Sequence, residues 1–221
     1  MLGRSYLCCS YAQWMLNTGM TLHRVYVDET GLNLYLSRSR GRSPVGERAS
    51  RIVCGQRGRN LTVIMVISDK VGVLYYETAW GRVDAERFRL FLEHLAVILG
   101  EENAVVIMDN VPCHRQAEAL VTHQVKKLAP NSPFLNPIEN CFAVYKADLK
   151  QRLGQVQELL DDRDAALQAG HRSIKAWREA LLEDLAGQAV PAVSPEKVAA
   201  AYQHANSFIG ACLAKEDIWA E

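Results

Sequence analysis

The sequence predicts an α/β fold built on a mixed sheet, and three observations carry that expectation. The apolar runs "LTVIMVI" and "AVVIMDN" read as buried strands. Between them, "DAERFRLFLEHLAVILG" has the apolar spacing of an amphipathic helix. Beyond residue 154 the pattern is mostly helical. Three or four strands, a helix, another strand and further helices make an α/β order with a mixed sheet.

Taken in order, "MLGRSYLCCSYAQWML" reads as a short helix with Leu7, Tyr11, Trp14 and Met15 along one side, and not as a signal peptide. "HRVYVDE" alternates its faces as a short strand. "GLNLYLSRSRGRSPVG" reads as a second strand followed by a turn rich in Gly and Arg. "LTVIMVI" is apolar throughout, which places it inside the sheet, and "SDKVG" turns it into "VLYYET". The helix that follows should bury Phe88, Phe91, Leu92, Leu95 and Leu99. Asp84 caps it, Val83 and Phe88 staple it, and Gly100 ends it. "AVVIMDN" is the next strand and ends in Asp109.

A helix over Arg115 to Thr122 and a "QVKKL" strand lead into "LAPNSPFLNPIENCFAVYK". There a proline-stiffened loop gives way to a helix. Asn136 is a good N-cap, Pro137 suits the first helical position, and Glu139 falls third, close to a capping box. Ile138, Phe142, Tyr145 and Leu149 form its buried stripe. The remaining helices are interrupted near "GQAVPAVSP". The expected organisation is a lead-in over 1–20, an α/β domain over 21–154, and a helical tail over 155–221.

The 221-residue chain has a formal net charge of zero, which hides an asymmetry. Seven arginines (Arg38, Arg40, Arg42, Arg48, Arg51, Arg57, Arg59) stand between Ser37 and Asn60 against one acid, Glu47. From Gln155 to Glu221 there are eleven acids against six Lys and Arg. Clustered like charges repel unless an anion is present, so the arginine-rich segment is a nucleic-acid candidate; the plain alternative is a solvated hairpin. Six scattered cysteines without a CxxC pair argue against a zinc site and are read as reduced and intracellular. No apolar run is long enough to span a membrane.

Three carboxylates then stand out. Asp28 lies on the first strand and faces away from Val25 and Val27. Asp109 sits where an apolar strand ends, the usual place for ligands in α/β sheets, although turn aspartates are ordinary there. Glu139 opens a helix. Bringing three acids together is unfavourable in water, because like charges raise each other's pKa. A hard divalent cation such as Mg²⁺ reverses that cost. Glu29, next to Asp28, points to the opposite face and takes a supporting role at most.

The blocks "YVDETGLNLYLSRSRGRSPVGERA", "VVIMDNVPCHR" and "LAPNSPFLNPIENCFAVYKADLK" resemble, in order, those of the mariner-like DDE transposases of the Tc/mariner superfamily. The resemblance covers roughly Tyr11 to Leu153. It implies a ribonuclease-H-like catalytic core that cuts and joins DNA strands, with Asp28, Asp109 and Glu139 as the triad holding two Mg²⁺ or Mn²⁺ ions. Asn110 and His114 are implied as supporting groups or phosphate contacts, and Asn136 as the residue that fixes where the Glu139 helix begins. Arg38, Arg40, Arg42 and Arg48 are the stronger DNA contacts. Lys146 and Lys150 share the Glu139 face at helical spacing and join them. The implied partner is DNA, both transposon ends and target. A homodimer is open; a membrane and a small-molecule substrate are not expected. The implied location is the nucleus.

Two departures from the family accompany these expectations. The family carries paired helix-turn-helix modules ahead of the core, so the chain reads as a truncated copy. Only 29 residues lie between Asp109 and Glu139, several fewer than the family's usual spacing. A second reading therefore stands beside the enzyme: a catalytically inactive or domesticated DNA-binding remnant. A ribonuclease-H-like nuclease for RNA–DNA hybrids shares the fold but is disfavoured by the "SPFLNPIEN" block.

Overall fold

The computed structural model of the protein describes residues 2–34, 43–47, 59–110 and 123–215. Strands β1 (His23–Leu32), β2 (Leu61–Ser68), β3 (Gly72–Trp80), β4 (Ala104–Met108) and β5 (Gln124–Lys127) form one sheet in the order β3-β2-β1-β4-β5. β1 is antiparallel to β2 and β2 to β3, whereas β1 and β4, and β4 and β5, run parallel. The sheet is thus mixed, as the element order predicts. It has a helical layer on each face and a helical C-terminal part, the ribonuclease-H-like arrangement.

One face is covered by α2 (Ala85–Leu99), which buries Phe88, Phe91, Leu92, Leu95 and Leu99 against Val25, Val27, Ile64, Val66, Val106 and Met108. The capping expectations hold. Asp84 accepts from the Arg87 N–H at 2.9 Å, Val83 packs beside the cluster that contains Phe88, and Gly100 ends the helix at φ 57°. The opposite face carries α1 (Leu2–Asn17), α3 (Pro137–Gln155), α5 (Ile174–Ala189), α6 (Pro195–Ser207) and α7 (Ile209–Ala214); α4 (Arg163–Gln168) packs on α5. Ile138, Cys141, Phe142, Tyr145 and Leu149 of α3 join Leu182, Leu185, Val198, Tyr202 and Ile209 of the later helices in a single core with Tyr26 and Ile107. Gly72 admits α6 at the β2–β3 turn. Its φ is 96°, and a Cβ there would meet Pro195 Cα at 3.2 Å.

Three local expectations are corrected. Leu7 is exposed, and α1 instead buries Cys8, Tyr11, Ala12 and Met15. Positions 8, 11, 12 and 15 follow the helical period, and the true stripe is centred on small residues that allow close approach. The strand expected to begin at "GLNLYL" is not separate: β1 runs on through Gly31 and Leu32, paired with Thr62 and Leu61. The Thr-Gly step fails to break it because β2 supplies a full ladder of partners. Finally, Asn136 is N-terminal to α3 but makes no side-chain cap. Its own N–H is taken by the Pro133 carbonyl at 2.9 Å, which also leaves no place for the returning Glu139 of a capping box.

Candidate active site

Parallel pairing of β1 with β4 begins at His23↔Ala104 and continues to Tyr26↔Ile107. The same offset carried two residues further sets Asp28 beside Asp109, just past the end of β4. Alternation puts both on the face of Tyr26 and Ile107, the face covered by α3, with Val25, Val27, Val106 and Met108 on the other. Glu29 falls on that other side. Glu139 is the third residue of α3 and is exposed, while Asp28 and Asp109 are half-buried.

Asp28 is the most constrained of the three. Its Oδ1 accepts the Glu29 N–H at 2.8 Å, and its Oδ2 accepts Asn136 Nδ2 at 2.8 Å. Burial pushes its carboxyl up to about 7, Asp109 and Glu139 both push it the same way, and the two hydrogen bonds pull it back. Both other acids therefore lie within electrostatic reach of Asp28. Among the described residues, however, no three His, Cys, Asp or Glu side chains are gathered tightly enough to hold a metal ion as they stand.

Asn136 departs furthest from its sequence-level role. It is 6% exposed, donates to Asp28 instead of capping its own helix, and keeps a buried Oδ1 without a partner. Asn110 Nδ2 donates to the Leu128 carbonyl, and the Leu128 N–H donates to the Met108 carbonyl at 2.9 Å. Asn110 thus ties the Asp109 turn to the exit of β5. Lys146 and Lys150 are half-exposed on α3. Arg38, Arg40, Arg42, Arg48 and His114, with the expected helix over 115–122, lie outside the described residues.

A second polar cluster lies at the opposite end of β1. His23 Nδ1 meets Glu102 Oε2 at 2.5 Å, and His23 Nε2 meets Ser68 Oγ at 2.6 Å. This has the connectivity of a serine-hydrolase relay, but Ser68 is 0% exposed and its Oγ also accepts the Lys70 N–H at 3.1 Å. An acyl donor cannot reach it, so the cluster satisfies buried polar groups at the strand ends. Beside it, Arg24 binds Asp69 at 3.0 Å and Asn206 at 3.1 Å and stacks on Tyr202 at 5.1 Å, which locks α6 to the sheet.

A family model described as DDE superfamily endonuclease matches residues 23–160, which takes in all three carboxylates. The chain belongs to that family. Among solved structures it resembles the pre-cleavage Mos1 transpososome (18% identity, TM-score 0.63, 99% of this chain and 63% of that one). It also resembles the Mos1 transposase catalytic domain with raltegravir and Mg (17%, 0.59, 99% and 96%). A third similar structure is the catalytic domain of Mos1 mariner transposase (16%, 0.56, 98% and 94%). At such identities the likeness is one of fold: this DDE endonuclease chain has the fold of a mariner-like transposase catalytic domain. It spans about 63% of the transposase in the transpososome. No curated protein matches it.

Proposed function

We propose that this chain is the catalytic domain of a mariner-like, cut-and-paste DNA transposase, cleaving and rejoining DNA phosphodiesters with Asp28, Asp109 and Glu139 as the ligands of Mg²⁺ or Mn²⁺. The observation that carries the reading is the shared face of β1, β4 and α3, on which Asp109 and Glu139 both act electrostatically on a half-buried Asp28. An all-oxygen donor set suits a hard cation, and the unpartnered Asn136 Oδ1 adds a neutral oxygen beside it. The Mos1 structures with Mg and with Mn support the choice of ions.

Bound there, such ions activate the attacking oxygen and stabilise the leaving oxygen of an in-line displacement. The chain's own residues do the positioning. The Glu29 N–H and Asn136 Nδ2 each hold one oxygen of Asp28, which fixes the plane of its carboxylate and leaves the remaining lone pairs for a cation. Asn110 fixes the turn that presents Asp109. Glu139, exposed on the first turn of α3, would supply the third carboxylate to such ions. Lys146 and Lys150 then meet phosphates of the DNA strand along the same helix.

DNA is the partner on this reading, as in the Mos1 transpososome and paired-end complexes, and a homodimer would follow from pairing two ends. The nucleus is then the place of action. The test is nicking of supercoiled DNA by the purified chain with Mg²⁺ or Mn²⁺, in parallel with Asp109→Asn. Metal-dependent nicking that Asp109→Asn abolishes supports the enzyme. The other outcome is a catalytically inactive DNA-binding remnant. DNA binding without nicking under either metal would establish it instead.

A further inference from the structure

The acidic tail contains one cleft lined by positive charge. Between α4 and the start of α5, Arg163, Ala166, Leu167, His171, Arg172 and Ile174, with Ser173, enclose a cavity of about 330 Å³. No acid lines it. The nearby acids are engaged elsewhere or sit outside it. Asp161 pairs with Arg178, and Asp162 caps α4 by accepting the N–H groups of Asp164 and Ala165, each at 2.9 Å. Glu158 and Asp164 are not among the lining residues. Among the described residues neither Arg163 nor Arg172 has an ion-pair partner, and both are exposed. Two free guanidiniums at one concavity repel one another unless an anion lies between them. Arginine's planar fork suits a phosphate better than any other common anion apart from a carboxylate.

We propose that this cleft is a second DNA-contact site, gripping the phosphate backbone away from the carboxylates. The proposal rests on the reading of the chain as a DNA enzyme. The floor of the cleft is Ala166, Leu167 and Ile174, with no further polar side chain but Ser173, so it offers no set of groups to read a base edge. The Ser173 hydroxyl accepts the Ala176 N–H at 3.1 Å, and the remaining N–H groups of the first turn of α5 add a favourable field for an anion. The cleft follows α3 in the chain and is set apart from the carboxylates, none of which lines it.

The test compares the whole chain with Arg163→Ala/Arg172→Ala by fluorescence anisotropy, using a duplex of about 30 base pairs over a range of salt. Each lost phosphate contact lowers the slope of log K against log salt by about 0.9, so the double variant should lose about 1.8, with affinity down at least about tenfold at low salt. Both side chains are exposed, so the thermal unfolding midpoint should stay put and a folding defect is separable. A wild type that binds DNA beside a variant with unchanged slope and affinity overturns this site alone. A wild type that binds no duplex overturns both the site and the reading on which it rests.

Discussion

Asp28→Asn should stabilise the metal-free protein, and the size of the gain follows from the site. Burial, with Asp109 and Glu139 nearby, raises the Asp28 carboxyl from 3.8 to about 7. A folded-state pKa above the unfolded value means that the native state holds its proton more tightly. Stability contributed by the neutral acid is therefore fully present below about pH 4 and is lost as pH rises through about 7. Three pKa units correspond to about 4 kcal/mol at most; Asp28 is half-buried, so solvent screening leaves about 2–3 kcal/mol.

Asparagine removes the charge and keeps the shape. Its Oδ1 can still accept the Glu29 N–H, and its amide can donate to Asn136 if that side chain turns over and presents the Oδ1 that now lacks a partner. The turn leaves Asn136 Nδ2 where Oδ1 lacked a partner, so one unpartnered atom replaces another and their number is unchanged. At pH 8, without divalent cations, the variant should melt about 4–12 °C above wild type, and the difference should shrink toward pH 5. Adding Mn²⁺ should raise the wild-type midpoint at pH 8 and leave the variant nearly unmoved. Differential scanning fluorimetry across pH, with and without Mn²⁺, measures all of this. A variant no more stable than wild type at pH 8, with a wild-type midpoint flat between pH 5 and 8, would refute the account of Asp28.

Asn136→Ala should weaken Mn²⁺ binding about 10–100-fold by calorimetry, since it releases one oxygen of Asp28; an unchanged affinity would make Asn136 a packing residue only. Phe91→Ala should cost about 3–5 kcal/mol in urea unfolding, because Phe91 is fully buried between α2 and the sheet, and a loss under 1 kcal/mol would contradict that packing. Tyr202→Phe should cost about 1 kcal/mol through loss of its bonds to the Arg24 and Ile67 carbonyls, with DNA nicking unaffected. Charge reversal of Arg38, Arg40 and Arg42 should flatten the salt dependence of DNA binding; an unchanged slope would return that segment to a solvated loop.

Much of the fold was legible because its signals are local. The stripe of α2 and the stripe of α3 follow from helical spacing within single segments, and the Asp84 cap and Gly100 stop lie next to the helix they bound. The misses have a common cause. Helical spacing groups Leu7 with Tyr11, Trp14 and Met15 but says nothing about which helix arrives opposite; α7 and the sheet meet Cys8 and Ala12 instead. The Thr30–Gly31 step looked like a break because its partners, Val63 and Thr62, are more than thirty residues away. The charge count of the tail concealed the cleft of Arg163 and Arg172, because it averages over helices that segregate charge in space.

By itself, the sequence determined the α/β class, the interior strands, the helix stripes and the identity of three acids worth watching. These are properties of periodicity and of short motifs, and they survive without knowledge of any distant partner. The tertiary structure alone decided that the strands of Asp28 and Asp109 pair in parallel, because that register joins segments some eighty residues apart. It alone decided that Asn136, a fitting cap for its own helix, turns to Asp28 across 108 residues. The Glu139 N–H that a side-chain cap would take already goes to the Asn136 carbonyl at 3.2 Å, and a half-buried carboxylate left without donors costs more than a helix end left to the backbone.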